Sequence, residues 1–229
     1  DLMRVNAKLL LDGRADLLGS WIVDAFRENK PYDQFAREVI TASGDTRQTA
    51  AANFFFAIEN TNDVTETTSQ VFMGSRINCA KCHNHPFENW TQEDYYSIGA
   101  VFTRLKKDGD RIGVADSGEM SHPASGKVMH PWGLPNNVDP NSLKEDRRVA
   151  FAKWLTATEN PFFARVEVNR IWSHLFGKGI VNPVDDFRSS NPPSNVELLE
   201  ALATEFIKSG YDRRHIIRTI CNSLAYQRS

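Results

Sequence analysis

Apolar side chains recur along most of the chain at intervals of three or four residues, the spacing that places them on one face of an α-helix. The first such segment, residues 18–26, is followed by Asn29-Lys30-Pro31, and proline ends helices because it restricts the residue before it. The remaining segments cover residues 32–39, 64–75, 95–105, 149–155, 168–176, 198–206 and 216–224. This pattern predicts about seven or eight short helices.

Residues 106–141 interrupt the helical pattern, because Gly, Pro, Ser and Asp are dense there. Within this segment, residues 119–122 and 127–130 flank the turn-forming sequence Pro123-Ala124-Ser125-Gly126, which predicts a small hairpin. The expected fold class is mainly α, a compact bundle of about seven or eight short helices with a small β-hairpin insertion. Because short helices are stable only against a partner face, we expect the helical regions to pack as one body.

The shift in composition divides the chain into three parts. They are a helical region with a cysteine-containing loop at 1–110, a loop and hairpin linker at 111–141, and a second helical region at 142–229. Capping signals mark the starts of several helices. Thr91 is followed by Asp94, and Ser194 by Glu197, at the spacing of a capping box, while Asp212 precedes the last apolar segment.

Composition and charge narrow the function classes. A chain of 229 residues, 41% of them apolar, is long enough for one large domain or two small ones. The net charge of −2 is too balanced for a nucleic-acid groove. No apolar run approaches the roughly 20 residues of a membrane span. The sequence opens without an initiator methionine or a signal peptide, so we expect a fragment or a processed chain.

The stretch 78–87 holds two of the three cysteines and two of the six histidines. Cys79, Cys82 and His83 form a Cys-x-x-Cys-His sequence, which is the attachment pattern of c-type haem. Two thiols at this spacing can form thioethers to one porphyrin, and the adjacent imidazole can then turn onto the iron. We therefore expect Cys79 and Cys82 to bind haem covalently and His83 to be an iron ligand.

The same loop also fits a structural zinc site. Cys79, Cys82 and His85 have the short spacing of a zinc knuckle, and a fourth ligand such as His122 would complete the tetrahedron. A redox dithiol or two inert thiols are the remaining interpretations. We favour haem over zinc. In a haem protein His85 would lie beside the metal centre in a supporting role, because Pro86 biases it toward extended backbone.

The sequence leaves the second axial ligand of a haem iron open. His174 is a candidate because it lies on the polar stripe of a predicted helix, after Glu167 and Arg170. The hairpin segment supplies further soft ligands, which are Met120, His122, Met129 and His130. A methionine in this position would raise the reduction potential relative to a second histidine.

A hydrolase is the least favoured function class. Several acidic and histidine residues could supply acid–base pairs, namely Glu167, His174, Asp185, Asp186 and His215. The chain has no nucleophile elbow and no paired-carboxylate motif to organise them. If the chain is an enzyme, its cysteine motif favours an oxidoreductase instead.

Longer stretches of the chain resemble two known domains. Three stretches, at residues 30–35, 79–87 and 90–96, are similar to the DUF1549 domain, also called planctomycete cytochrome C domain 2, PSCyt2. Five further stretches, at residues 160–165, 169–174, 176–181, 185–187 and 191–194, are similar to the DUF1553 domain, PSD1. The chain starts within the first pattern and stops within the second, so we expect both domains to be truncated.

The resemblance implies a secreted or periplasmic protein of planctomycete-like bacteria, often fused to a further cytochrome-like domain. It implies no established activity, because both are domains of unknown function. Together with the haem motif, it leads us to expect a c-type haem-binding, cytochrome-like electron-transfer protein of the cell envelope. The expected partner is a redox protein or the fused cytochrome domain, and not a nucleic acid.

Overall fold

The computed structural model describes residues 3–6, 8, 10–84, 89–140 and 145–228. Within these residues the chain forms ten α-helices, and eight of them have nine or more residues, as the apolar pattern predicts. They are α1 (Arg14–Arg27), α2 (Tyr32–Thr41), α3 (Asn53–Phe56), α4 (Thr61–Met73), α5 (Gln92–Phe102), α6 (Arg147–Leu155), α7 (Phe163–Phe176), α8 (Val196–Lys208), α9 (Arg213–Cys221) and α10 (Leu224–Gln227). None of these described helices is long and apolar enough to cross a membrane.

A small antiparallel sheet accompanies the helices. Its strands, in the spatial order β1-β3-β2, are β1 (Gly44–Asp45), β2 (Leu105–Asp108) and β3 (Arg111–Val114). The two-residue turn Gly109-Asp110 joins β2 to β3 and pairs Asp108 with Arg111. Gly109 has a φ of 54°, a left-handed backbone that glycine adopts without steric cost. The mainly α fold class with a β insertion is therefore confirmed.

The position of the sheet differs from the expected hairpin. The apolar pattern placed Leu105 on the buried face of the preceding helix, and this was wrong, because α5 ends at Phe102 and Leu105 begins β2. The turn at Gly109 gives this segment a partner strand, and backbone pairing overrides the helical period. The expected hairpin is also present, reduced to a single bridge between Ser121 and Val128.

Side-chain caps set the starts of several helices. Thr91 Oγ1 accepts from the backbone N–H of Asp94 at 3.1 Å, and the Asp94 carboxylate accepts from the N–H of Thr91 at 2.8 Å, which confirms the capping box. Asp212 caps α9 as predicted. At α8 the prediction was wrong by one residue. Asn195 is the cap, because the hydroxyl of Ser194 donates to a backbone carbonyl of the preceding loop.

The two helical regions share one hydrophobic core. Tyr32 of α2 stacks on Phe163 of α7 with ring centroids 4.8 Å apart, and it also packs against Phe72 and Phe206. All four rings are buried. Because these aromatic contacts cross from the first region to the second, the prediction that both regions pack as one body is confirmed.

An ionic group with two buried arginines and a partly exposed carboxylate ties both helical regions to the linker. Glu119 lies in the linker and accepts from Arg104, which follows α5, at 2.9 Å and from Arg147, the first residue of α6, at 2.7 Å. The two arginines are 5% and 1% exposed. Burial alone would raise the pKa of Glu119, but the hydrogen bonds and charges of the two guanidiniums outweigh it and hold the pKa below its ordinary value.

Replacing Glu119 with Gln is expected to lower the free energy of unfolding at pH 7 by about 2 kcal/mol. Two buried guanidinium charges lose their carboxylate, and its partial exposure to solvent keeps the loss below that of a fully buried pair. A carboxyl whose pKa is lowered by folding stabilises the protein above its ordinary pKa, and this contribution is lost as the pH falls through the folded value. The difference between wild type and Glu119→Gln should therefore shrink below the ordinary value of 4.5. Urea unfolding at a series of pH values measures both effects.

Glu93→Gln provides the matched control for this prediction. Glu93 and its partner Lys127 are each 60% exposed, so their ion pair is screened by solvent. Its loss should cost less than about 1 kcal/mol. Equal losses from both substitutions would contradict a special role for Glu119.

Candidate functional site

The cysteine loop begins where α4 ends, at Gly74. This residue has a φ of 60°, which turns the chain away from the helix axis. A Cβ at Gly74 would lie 2.7 Å from Val166 and 2.9 Å from Phe187, both in the second helical region. Glycine is therefore required twice, for the left-handed backbone and for the close approach. The loop consequently leaves a point that is anchored to both regions.

Cys79 and Cys82 lie on one short 3-10 turn, formed by Asn78–Lys81 with Cys82 directly after it. In a 3-10 turn, side chains three residues apart point in the same direction. Ala80 between them is fully buried and faces the core, whereas both cysteines are exposed and free. The two thiols are therefore presented together on the protein surface.

The N-terminal part of α5 holds the backbone of this cysteine turn. The carbonyl oxygen of Lys81 accepts from the Gln92 side-chain amide at 3.0 Å and from the Tyr96 hydroxyl at 3.1 Å. The side chain of Asn84 accepts from the backbone N–H of Gln92 at 3.0 Å. These contacts fix the backbone on both sides of Cys82, and the helix that provides them is itself fixed by its capping box.

His83 follows the second cysteine and is exposed. Its Nδ1 lies 2.8 Å from the carbonyl oxygen of Asn84. A carbonyl can only accept, so Nδ1 carries the proton and donates. The neutral imidazole then keeps its lone pair on Nε2, the form in which histidine binds a metal. The adjacent His85 lies outside the described residues.

The hairpin residue His122 lies close to the cysteine loop, with Tyr96 between them. The rings of Tyr96 and His122 are 5.9 Å apart, and burial together with the nearby Cys82 raises the pKa of Tyr96. However, Nδ1 of His122 accepts from the backbone N–H groups of Ala124 and Ser125, each at 3.3 Å. The proton of this ring is then on Nε2, so the ring as placed offers no lone pair to a metal.

The other candidate axial ligands have different surroundings. Met129 is buried, and Met120 packs so closely on Gly99 of α5 that a Cβ there would lie 2.7 Å from its methyl group. His130 Nε2 donates to a backbone carbonyl at 3.2 Å. His174 lines a separate cavity, and none of Cys79, Cys82 and His83 is among the lining residues. These candidates therefore lie apart from the cysteine turn or are engaged elsewhere.

No metal-binding cluster is complete within the described part of the chain. In those residues, no three side chains of His, Cys, Asp or Glu come together in an arrangement that could hold a metal ion. A zinc site on Cys79 and Cys82 would therefore depend on His85. A thioether-bound haem would use the two thiols and His83, which follow one another along the same short turn.

The residues named for a hydrolase do not all meet at one site, since Glu167 and His174 line one cavity and Asp185, Asp186 and His215 do not line it. Burial alone would raise the pKa of Asp185, but hydrogen bonds from Gln70 and Arg76 hold it below its ordinary value. Asp186 and His215 each pair with a different neighbour. Salt bridges to arginines account for Asp185 and Asp186.

Sequence reasoning missed Tyr96 and Gln92, the two side chains that hold the cysteine turn. It assigned the buried face of α5 to Tyr95 and left Tyr96 without a role. A usable signal was present, because the capping box fixes Thr91 as the cap and hence Gln92 as the first helical residue. Residues 92 and 96 are then one turn apart on the same face.

Two family models match the chain. The model of the PSCyt2 family, described as a protein of unknown function (DUF1549), matches residues 12–107. The model of the PSD1 family, described as a protein of unknown function (DUF1553), matches residues 147–229. The chain contains a DUF1549 region followed by a DUF1553 region. No curated protein and no solved structure matches it. The cysteine turn belongs to the DUF1549 region, and Gly74 anchors its start against the DUF1553 region.

The exposure of the cysteines predicts their reactivity. In the reduced, metal-free protein, Ellman's reagent should modify Cys79 and Cys82 rapidly under native conditions, because accessible thiols react first. Cys221 is only partly exposed and should react more slowly, reaching full extent after unfolding in urea. The variant Cys221→Ser should keep the fast phase of two thiols. A single fast thiol, or three of equal rate, would contradict the described turn.

Proposed function

We propose that the DUF1549 region carries a covalently attached haem c and that the chain is a cytochrome-like electron-transfer protein of the cell envelope. Cys79 and Cys82 would hold the haem through thioethers, and His83 would bind the iron. The supporting observation is the combination of two free thiols on one face of a turn with a histidine whose Nδ1–H is already donated to a carbonyl.

The residues present fit this group chemically. Each thioether would form by addition of a thiol across one vinyl group, in which the S–H bond and the vinyl π bond are replaced by a carbon–sulfur and a carbon–hydrogen bond, so that no oxidant is required. Both thiols are exposed and unpaired, so they are available for this addition. The bound haem would supply one-electron transfer at the iron.

The surrounding residues orient the attachment site. Gln92 and Tyr96 hold the carbonyl of Lys81, and so keep Cys79 and Cys82 facing outward from the core. A redox group on this surface would be within direct reach of a partner, which we propose to be a redox protein or a fused cytochrome domain. Attachment of this kind belongs to periplasmic or secreted proteins, and we propose the same location here.

A zinc-stabilised structural module is the second candidate, and the closeness of the hairpin to the cysteine loop favours it. Cys79, Cys82 and His85 would supply three ligands, and His122 lies next to Tyr96 on the same side. For His122 to bind, its ring would have to give up the two backbone N–H groups that it now accepts. Zinc would then hold the loop and hairpin together.

The test is expression in a periplasm that contains haem-attachment machinery, followed by absorption spectroscopy of the denatured protein and metal analysis. We expect a Soret band that stays with the chain after denaturation. It should be lost in the double variant Cys79→Ser/Cys82→Ser. In the native protein, His83→Ala should abolish the wild-type haem spectrum and His85→Ala should only shift it. Cys221→Ser, which removes the remaining thiol, is the control and should keep the wild-type spectrum.

Other outcomes distinguish the alternatives. Zinc in place of haem, released by His85→Ala and kept by His83→Ala, would support the structural module. Absence of both haem and metal, with no effect of either histidine substitution, would contradict both proposals and leave the cysteines as a dithiol.

A further inference from the structure

A cavity of about 660 Å³ lies between the DUF1549 and DUF1553 regions. Residues of α1, α2 and α4 form one side, and residues of α7 and α9 form the other. Its walls are mainly apolar, with side chains that include Ile22, Phe26, Val71, Ile171, Leu175 and Ile217. This volume and this lining are typical of small-molecule sites, which often occur where two structural units meet.

Three charged residues are buried in the wall of this cavity. Glu167, Arg170 and Arg213 are only 8%, 9% and 6% exposed. Arg170 Nη1 lies 3.8 Å from the Glu167 carboxylate and Arg213 Nε lies 3.9 Å from it, too far for hydrogen bonds. Glu167 is the one acidic residue among the described lining residues. The buried wall therefore carries two guanidiniums against one carboxylate.

Both guanidiniums have a buried nitrogen that lacks an acceptor among the residues that the structure describes. Nη1 of Arg170 and Nη2 of Arg213 make no hydrogen bond to any described residue. The rest of each group is engaged, since Arg170 Nη2 donates to the carbonyl of Gln70 at 2.9 Å and Arg213 stacks on Phe26 with its guanidinium carbon 3.7 Å from the ring centroid. A buried N–H without a hydrogen-bond partner costs free energy, so a ligand that supplies an acceptor to these two nitrogens would be bound favourably.

Tyr32 does not provide that acceptor. Its hydroxyl is hydrogen-bonded to Glu167, and burial together with the Glu167 charge raises its pKa above the ordinary value. Tyr32 therefore remains protonated, and its hydroxyl takes up part of the hydrogen-bonding capacity of the Glu167 carboxylate. Outside the buried group, Lys30 and the exposed Arg214 add positive charge to the lining, although Lys30 is paired with Glu38.

We propose that this cavity binds a small molecule with an apolar body and a single carboxylate group. The carboxylate would accept a charge-assisted hydrogen bond from Arg170 Nη1 and another from Arg213 Nη2. The body would lie against the apolar side chains of α1 and α7. A neutral ligand could offer these nitrogens only a weaker, uncharged acceptor, and a cation would be repelled by the positive excess. The cavity site is separate from the cysteine turn and goes beyond the haem proposal.

Isothermal titration calorimetry with three eight-carbon probes tests the charge requirement. Octanoate, octylamine and 1-octanol share the same tail and differ in the head group. We expect saturable binding of octanoate that is roughly tenfold tighter than that of either other probe, as a charge-assisted hydrogen bond provides. Binding of 1-octanol or octylamine as tight as that of octanoate, or no saturable binding of octanoate up to millimolar concentration, would overturn the proposal.

Two exposed positions allow a charge test that spares the core. Ile217 lines the cavity and is 40% exposed, and Asp at this position would place a carboxylate one helical turn from Arg213. Ile217→Asp should weaken octanoate binding roughly tenfold, because the new carboxylate repels the ligand and competes for the guanidinium. Val149→Asp is the matched control, since Val149 is 52% exposed on α6 and does not line the cavity. It should leave the affinity unchanged, and equal effects of the two variants would overturn the proposal.

A direct variant and an independence control complete the experiment. Arg213→Met should weaken octanoate at least tenfold while leaving 1-octanol unaffected, and unchanged octanoate affinity in a folded Arg213→Met protein would overturn the proposal. The double variant Cys79→Ser/Cys82→Ser should bind octanoate as wild type does. Octanoate binding is therefore expected even if the haem proposal fails. Loss of octanoate binding in the double cysteine variant would contradict a site that is separate from the cysteine turn.

Discussion

The structure depends on how guanidinium charge is buried at the start of α6. Arg147 and Arg148 are each 1% exposed, and their donors reach backbone carbonyls of the first helical region as well as carboxylates. Arg147 meets Glu119, which also holds Arg104, so one carboxylate connects all three parts of the chain. Removing the partner of a buried charge costs several kcal/mol, so packings of the two regions that separate these groups are disfavoured.

That placement has two consequences for function. It anchors the start of the cysteine loop, because Gly74 packs against Val166 of the second region. It also creates the cavity, because Glu167 and Arg170 of α7 meet Tyr32 of α2 and Arg213 of α9. The two proposed sites therefore share one requirement, a correctly packed contact between the DUF1549 and DUF1553 regions, although their side chains are different.

The two sites also differ in how their polar groups are satisfied. At the cysteine turn, every described contact supports an outward-facing surface, with Tyr96 holding the backbone and His83 donating its Nδ1 proton to a carbonyl. In the cavity, by contrast, Arg170 and Arg213 each keep a buried nitrogen that finds no acceptor in the described part of the chain. A surface thiol pair suits covalent attachment, whereas unsatisfied buried donors suit reversible binding of an anion.

Local sequence determined the helices, the capping box at Thr91 and the cysteine motif, because apolar period, caps and residue spacing act over a few neighbours. It did not determine that Leu105 starts a strand, since the strand forms only when a partner is present. Local sequence also could not show that His174 lines a cavity with Arg213, because that cavity is formed by residues distant in the chain. Nor could it assign opposite tautomers to His83 and His122, because these depend on the hydrogen bonds that each ring makes in the folded protein. Tertiary structure decided them, as the cost of burying an unpaired polar group is set by the neighbours that packing supplies.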